Sequence, residues 1–219
     1  MPKTHKFYSA VFLLAVMVLT ITFSIGLPIY IRPFYYAHVD ALDMPETYGV
    51  ERQDIIDAYD EVLDFLTKDG HDFGTGVLEY SEEGKSHFED CRVLFNINKY
   101  AFIASLVLVV VLFLLDNMGY LQLARPCGLS LGFFSGLGTL GLFGTLAVLV
   151  ARDFGAAFTT FHKIFFPGKE NWIFNPATDE IILFMPSEFF MDCAVLIGFS
   201  VILTSIVLMI NAWRKRYTL

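Results

Sequence analysis

Four long stretches of apolar residues dominate the hydropathy pattern of the chain. They cover about 7–31, 97–121, 127–150 and 189–213, and the first and third contain no charged residue. A helix that crosses the hydrocarbon core needs about 20 consecutive apolar residues. The pattern therefore predicts four transmembrane helices. The first is expected to be retained, since its apolar run is too long for the core of a signal peptide.

Two long connections, about 32–96 and 151–188, separate the first helix from the second and the third from the fourth. Residues 50–67 place apolar side chains at helical spacing with acids largely on the opposite face, which predicts an amphipathic helix. The second connection contains several prolines and many phenylalanines, which is typical of turns and short helices. We expect an all-α membrane protein in which both connections form a cap, and a single membrane domain over 1–219.

Composition supports a membrane protein. Hydrophobic residues make up 55% of the 219 residues and charged residues only 17%. Soluble domains carry about a quarter charged residues. With a net charge of −8, the chain does not resemble a nucleic-acid binder with a basic surface. It also does not resemble a disordered chain or a small disulfide-rich protein.

The distribution of charge predicts the orientation in the membrane. With four crossings, one side holds six basic residues near the helix ends and Asp116 as its only acid, whereas 32–97 contains sixteen acids and five bases. Lysine and arginine accumulate in cytoplasmic segments. We therefore expect cytoplasmic termini and an extracytoplasmic cap. The six basic residues are Lys3, Lys6, Arg125, Arg214, Lys215 and Arg216.

Several common chemistries lack their signatures. There is no H-E-x-x-H motif, no Cys/His set at zinc spacing and no G-x-S-x-G, so we expect no metal and no cofactor. Gly128, Gly132 and Gly136 recur at four-residue spacing inside an apolar stretch, which favours close helix packing over nucleotide binding. Cys91 and Cys193 both fall on the expected outer side. They can pair or stay free, and free buried thiols are favoured.

His87 is the first candidate for chemistry. Ser86 and Glu89 form a capping-box pattern, which predicts a helix that starts at Ser86 and places His87 in its first turn. The positive end of the helix dipole would keep the imidazole neutral, and Asp90 would share its face and orient it. The alternative is an ordinary surface histidine near a helix start.

His162 is the second candidate, and it lies among phenylalanines past the third apolar stretch. The alternative is an interfacial histidine that satisfies its own hydrogen bonds. Topology places His87 and His162 on the same outer face, where both have aromatic neighbours. Together they suggest an acid–base pair that faces a lipid-borne substrate, although the pattern itself specifies no reaction.

At these residues the chain resembles the lipoprotein intramolecular transacylases of Gram-positive bacteria, four-helix membrane enzymes with an extracellular cap. The resemblance extends over most of the chain in order, spacing and topology. It departs from the family pattern at Cys91, Asn175 and Ser187-Glu188. The similar segments are Ser86-His-Phe-Glu-Asp-Cys-Arg92, Phe161-His-Lys-Ile-Phe-Phe166, Asn171-Trp-Ile-Phe-Asn-Pro176, Asp179 with Ile181-Ile182, and Pro186-Ser-Glu-Phe-Phe190.

The resemblance implies a reaction on a membrane-anchored diacylglyceryl lipoprotein. The sn-2 acyl chain would move to the α-amino group of the N-terminal cysteine and give the lyso-form lipoprotein, without cofactor or metal. His87 and His162 would be catalytic, one deprotonating the amine and the other assisting the carbonyl, with Asp90 orienting His87. The residues expected to contact substrate are Phe88, Phe161, Phe165, Phe166, Trp172, Asp179, Phe189 and Phe190.

Two other functions remain open at this stage. The chain can be a non-enzymatic four-helix membrane protein that binds lipid or a partner through its acidic cap, and the histidines would then lie apart. It can also be another lipid acyltransferase or hydrolase that uses the same pair. Such an enzyme would need room for two substrates or a path for water.

Overall fold

The computed structural model describes residues 5–215, and this part of the chain is helical with no strand. Two short 3-10 helices, Pro126–Gly128 and Glu180–Phe184, lie between the longer elements. The eight α-helices are α1 (Lys6–Tyr30), α2 (Arg32–Ala41), α3 (Met44–Tyr48), α4 (Arg52–Thr67), α5 (Glu82–Asn117), α6 (Leu131–Arg152), α7 (Phe154–Phe165) and α8 (Ser187–Lys215).

Four of these helices, α1, α5, α6 and α8, are long and apolar enough to cross a membrane. The predicted fold class, an all-α protein with four transmembrane helices, is confirmed. Their exposed surface is rich in large apolar side chains, as expected for helices that face lipid. Of the basic residues used to predict orientation, Lys3 and Arg216 lie outside the described residues, as does the side chain of Lys215.

The second of these helices is longer than a membrane crossing requires. α5 has 36 residues and is therefore about 54 Å long, whereas the hydrocarbon core is about 30 Å thick. Its first eleven residues include six charged side chains, which are too costly to place in lipid. We therefore expect the apolar remainder of α5, from about residue 97, to span the membrane and 82–96 to lie outside the hydrocarbon.

The chain divides into two compact units. The first comprises the described parts of Met1–Gly26, Asn98–Leu149 and Leu196–Leu219. Within it, the Ser135 hydroxyl of α6 donates to Leu13 O of α1 at 3.0 Å. A Cβ added at Gly136 would lie 2.8 Å from Ser205 O of α8, so this glycine permits the close approach that the spacing predicted.

The second unit comprises Leu27–Ile97 and Val150–Val195 and has its own hydrophobic core. The amphipathic helix predicted at 50–67 is present as α4, and its apolar stripe is buried as expected. Tyr35 of α2 stacks on Tyr59 of α4 at 3.6 Å between ring centroids, and its hydroxyl donates to Phe184 O at 2.8 Å. The helices α2 and α3 were not predicted. Whether 1–219 acts as one membrane domain stays a prediction.

Candidate active site

The helix that carries His87 begins earlier than the sequence predicts. α5 starts at Glu82, and the amide of Gly84 donates to Ser81 Oγ at 3.0 Å. Ser81, and not Ser86, is therefore the residue whose side chain caps the helix. His87 lies in the second turn, where the helix dipole acts more weakly than in the first. The predicted first-turn position is wrong.

Asp179 holds this helix start in place. The residue is 4% exposed, and its carboxylate accepts hydrogen bonds from the Ser81 amide at 2.9 Å and from the Ser81 hydroxyl at 2.8 and 3.0 Å. The Thr178 hydroxyl donates to Asp179 Oδ2 at 2.9 Å. Gly84 makes room for this arrangement, since a Cβ there would collide with Asp179 Oδ1. We expected Asp179 to contact substrate, but these partners make it a structural anchor of α5.

His162 is presented by α7, a separate helix that follows a break after α6. Asp153 caps α7, because its carboxylate accepts from the amide of Ala156 at 2.9 Å. The Nδ1 atom of His162 lies 2.8 Å from the carbonyl oxygen of Phe158, one helical turn earlier. This hydrogen bond fixes the orientation of the ring on its helix. No hydrogen-bond partner of the other nitrogen, Nε2, is found in the described part of the chain.

The two histidines lie side by side. Their ring centroids are 5.8 Å apart with an angle of 34° between the planes, and His87 and His162 are only 5% and 6% exposed. Residues 75 positions apart in the sequence thus form one buried pair. The prediction that topology brings them to a common place is borne out by this distance, which is short enough for one small functional group to contact both rings.

Burial keeps both imidazoles neutral. Loss of solvation lowers the pKa of His87 to about 4, and His162 adds to the effect while Asp90 opposes it. Loss of solvation also lowers the pKa of His162, against the hydrogen bond to Phe158 O, which favours the protonated ring. Both side chains can therefore accept or share a proton at neutral pH.

Aromatic rings enclose the pair. Phe166 is 4% exposed, with its ring centroid 4.9 Å from that of His87 and 5.7 Å from that of His162. Trp172 stacks on His162 at 4.5 Å. Phe158 and Phe174 complete the enclosure, at 4.2 Å from His162 and 5.5 Å from His87 respectively. Neither was among the expected site residues, although both lie in the phenylalanine-rich second connection, 151–188.

The other expected substrate contacts separate into two groups. Phe88 is buried beside His87, with 6.0 Å between ring centroids, and Phe161 lies 5.4 Å from His162 and is 45% exposed. Phe165 is also half exposed and contacts Phe161. Phe189 instead packs in the core of the second unit against the rings of Phe34, Tyr35, His38, Tyr59 and Phe190. The ring of Phe190 contacts that of Phe158, which in turn lies 4.2 Å from His162.

Asp90 does not hydrogen-bond to His87 as expected. Its carboxylate accepts from Lys169 Nζ at 2.6 and 2.7 Å and from Asn171 Nδ2 at 3.2 Å. Burial alone would raise the pKa of Asp90, but these two donors outweigh it and hold that pKa below its usual value. Asp90 thus ties the segment that carries Trp172 to α5. Sequence reasoning missed Lys169 and Asn171 because no local pattern relates them to a residue about 80 positions away.

The side chain of Cys91 contacts the ring of His87. Its Sγ lies 3.4 Å from His87 Nε2, one helical turn along α5. Cys91 and Cys193 are both free thiols in the structure, as the sequence favoured. No group of three or more His, Cys, Asp or Glu side chains suited to a metal ion occurs among residues 5–215.

A cavity of about 670 Å³ opens beside Trp172. Trp172, which stacks on His162, is one of the residues that line it. The same wall contains three charged side chains, Lys163, Lys169 and Glu170, and the exposed Ile173. The cavity is therefore amphipathic, and Trp172 connects its wall to His162.

Comparison with known proteins identifies the family. Residues 10–190 match the sequence model of the family described as lipoprotein intramolecular transacylase Lit. No curated protein matches the chain. Among solved structures, the membrane-integral lipoprotein intramolecular transacylase Lit of Bacillus cereus superimposes with a TM-score of 0.86, at 21% identity over 97% of this chain and 95% of that chain.

Two further structures of the Bacillus cereus protein, variants in which one histidine is replaced by arginine or by alanine, both match with a TM-score of 0.80 and 21% identity. The alignments cover 97% and 98% of this chain and 92% and 96% of those chains. At this identity the structures show a common fold. Because the family model spans most of the chain, the protein belongs to the lipoprotein intramolecular transacylase (Lit) family.

Proposed function

We propose that the protein moves the sn-2 acyl chain of a diacylglyceryl lipoprotein to the α-amino group of its N-terminal cysteine. The product is a lyso-form lipoprotein with an N-acylated, monoacylglyceryl-modified cysteine. The reaction converts an ester to an amide, runs downhill and draws on no nucleotide. Family membership supports the class of reaction, and the site residues support histidine acid–base catalysis.

One observation carries the proposal: His87 and His162 form a buried pair of neutral imidazoles whose ring centroids are 5.8 Å apart. The attacking amine must lose a proton, and the leaving glycerol oxygen must gain one. A neutral histidine is suited to both transfers near neutral pH. The separation is short enough for one reacting centre to contact both rings.

Confinement of the substrate supplies the rest of the rate enhancement. Amine and ester belong to one molecule, so catalysis consists largely of holding it in a folded conformation. Phe166 and Trp172 contact the histidines directly, and Phe88 and Phe161 flank them. Apolar walls of this kind exclude water, which favours the uncharged amine and suppresses hydrolysis of the ester.

The substrate reaches the pair from the amphipathic cavity. His87 is 5% exposed and its Nδ1 atom is closed off from solvent, so one of the surrounding rings must move before the ester can approach. Trp172 is the natural candidate because it both stacks on His162 and lines the cavity. Phe161 and Phe165 are half exposed on the same helix as His162 and offer an apolar surface for an acyl chain.

We place the site on the extracytoplasmic side of the membrane, with both termini in the cytoplasm. The support is the distribution of charge, with sixteen acids in 32–97 and basic residues near the opposite helix ends. A cysteine-labelling experiment with an impermeant reagent, at a cysteine introduced at exposed His71, tests the orientation.

Mass spectrometry of the N-terminal lipopeptide tests the reaction. A reporter lipoprotein is isolated from a diacylating host with and without the protein, and its lipopeptide is fragmented. Transfer within one molecule leaves the parent mass unchanged and moves one acyl chain to the cysteine nitrogen. His87→Ala and His162→Ala should abolish this change, whereas His71→Ala, a substitution at an exposed histidine, should not.

Other outcomes contradict the proposal in distinct ways. Loss of one acyl group from the parent mass would indicate a hydrolase that uses the same pair. A lipopeptide that remains diacylglyceryl in the presence of a correctly folded protein would favour the non-enzymatic, lipid-binding alternative. Conversion that survives both histidine substitutions would remove the histidines from the mechanism while keeping the family activity.

A further inference from the structure

The two histidines form hydrogen bonds through different ring nitrogens, Nδ1 in His162 and Nε2 in His87. This difference determines which nitrogen of each ring carries the hydrogen. His162 Nδ1 lies 2.8 Å from Phe158 O, and a carbonyl oxygen can only accept. Nδ1 of His162 therefore carries the hydrogen, and its Nε2 has a free lone pair. His162 is set up as a proton acceptor at Nε2.

The contact of His87 has the opposite consequence. Its Nε2 lies 3.4 Å from the Sγ atom of Cys91. Burial raises the pKa of the Cys91 thiol to about 12, so the sulfur keeps its hydrogen. An imidazole nitrogen is a much better acceptor than a thiol sulfur, which accepts only weakly. The thiol therefore donates to Nε2, and the ring hydrogen of His87 resides on Nδ1.

The Nδ1 atom of His87 has no partner. It is buried and makes no hydrogen bond within the described residues. A buried N–H group without an acceptor is costly and uncommon. Such a donor in a ring 5.8 Å from a proton acceptor is suited to a substrate oxygen that carries developing negative charge.

We propose that Cys91 is a positioning residue that holds His87 in the tautomer protonated at Nδ1. His87 then acts as a neutral hydrogen-bond donor to the ester carbonyl oxygen, and His162 alone transfers the proton. This inference rests on the proposed function and refines it by assigning a different task to each histidine.

The assignment balances in protons and bonds. The neutral amine attacks the ester carbonyl carbon, a C–N bond forms, and the carbonyl oxygen becomes an oxyanion that accepts the hydrogen bond from His87 Nδ1. His162 Nε2 takes one proton from the nitrogen. The C–O bond to glycerol then breaks, and His162 returns that proton to the glycerol oxygen. Both histidines end as they began, and His87 never has to give up its proton.

Nitrogen NMR on protein with ¹⁵N-labelled histidine in detergent micelles tests the tautomer directly. The His87 signals are assigned from their loss in His87→Asn. We expect His87 protonated at Nδ1 in the native chain and a mixture of tautomers in Cys91→Val, which removes the donor at similar volume. Cys91→Ser keeps a donor and should restore the native spectrum. Finding His87 protonated at Nε2 in the native chain would overturn the assignment.

Kinetics on a synthetic diacylglyceryl lipopeptide provide the second readout. Cys91→Val should lower kcat about 3- to 10-fold, the range that follows from one neutral hydrogen bond, with little change in KM. Cys91→Ser should recover most of the loss. Cys193→Val, a matched change at the other half-buried free thiol of the second unit, should leave kcat unchanged. An unchanged spectrum and kcat in Cys91→Val would refute the role of Cys91.

The two proposals fail in distinguishable ways. If the native protein does not convert the lipopeptide, the proposed function fails, and the nitrogen spectra still decide whether Cys91 sets the tautomer. If conversion depends on both histidines but Cys91→Val behaves as the native chain does, the function stands and the positioning role falls.

Discussion

Replacement of Asp179 should destabilise the protein without removing a substrate contact. Asp179 is 4% exposed, and its carboxylate accepts from the Ser81 amide and hydroxyl and from the Thr178 hydroxyl. Hydrogen bonds to a charged group contribute about 1.5–3 kcal/mol each and are not additive. We expect Asp179→Ala to lower the free energy of unfolding by about 2–4 kcal/mol.

The assay is unfolding of the detergent-solubilised protein by increasing SDS in mixed micelles, followed by circular dichroism. Glu180→Ala is the matched control, since the Glu180 carboxylate accepts one exposed hydrogen bond, from the amide of Glu79 at 2.8 Å, and the substitution should cost less than about 1 kcal/mol. Asp179→Asn keeps one acceptor oxygen and should fall between the two.

The activity of the folded fraction distinguishes an anchor from a substrate ligand. Because Asp179 fixes the start of the helix that carries His87, its loss should lower the folded population and kcat through misplacement of the histidine. A variant with native stability and a KM raised tenfold or more would refute this reasoning and return Asp179 to the substrate-binding residues.

Three further predictions follow from the site and the packing of the helices. Asp90→Asn should lower kcat less than His87→Ala does, because Asp90 contacts Lys169 and Asn171 instead of the ring; equal losses in the lipopeptide assay would give Asp90 a direct catalytic role. Burial lowers the pKa of both site histidines, so NMR titration should find their midpoints below 6.5. The free energy of unfolding should also fall as the pH drops from about 6.5 through the lowered pKa values, because only the unfolded chain takes up protons there. A midpoint at or above 6.5 would contradict the burial argument. Gly136→Ala should lower the midpoint of thermal unfolding in detergent, because the added Cβ would lie 2.8 Å from the backbone at Ser205. Gly141→Ala is the control and should leave the midpoint unchanged, because a Cβ there would have nothing within 4 Å. Similar midpoints for the two variants would show that the helices tolerate a larger separation.

The membrane helices were predictable because length and hydropathy determine them locally. The stripe of α4 was predictable for the same reason, since its apolar residues recur at helical spacing within sixteen residues. The start of α5, in contrast, could not be predicted from the local sequence. Ser86 and Glu89 fit a capping box, but the helix begins at Glu82 because Asp179, about 100 positions away, binds Ser81. Tertiary contact overrode a local signal.

The same limit applies within the site. Sequence order and topology were sufficient to bring His87 and His162 to one face, and the structure places them 5.8 Å apart. The hydrogen-bond partners of Asp90 could not be predicted, because Lys169 and Asn171 lie in a loop whose path depends on how α7 ends. The short contact of Cys91 with His87 follows from one helical turn of spacing, so it could have been predicted once both residues were placed on a helix.

The most direct test of the histidine pair uses purified protein in lipid vesicles with one synthetic diacylglyceryl lipopeptide. The rate of acyl transfer is measured for the native chain, for His87→Ala, for His162→Ala and for the double variant. Proton transfer by a positioned side chain contributes roughly 10²- to 10⁴-fold, and a hydrogen-bond donor to a developing oxyanion contributes roughly 10²- to 10³-fold. Groups that act as a unit are strongly non-additive. We expect each single variant to lose at least about 100-fold and the double variant to lose little more than the worse single one. Single variants within a few-fold of the native rate, at native stability, would contradict the assignment of the reaction to this pair.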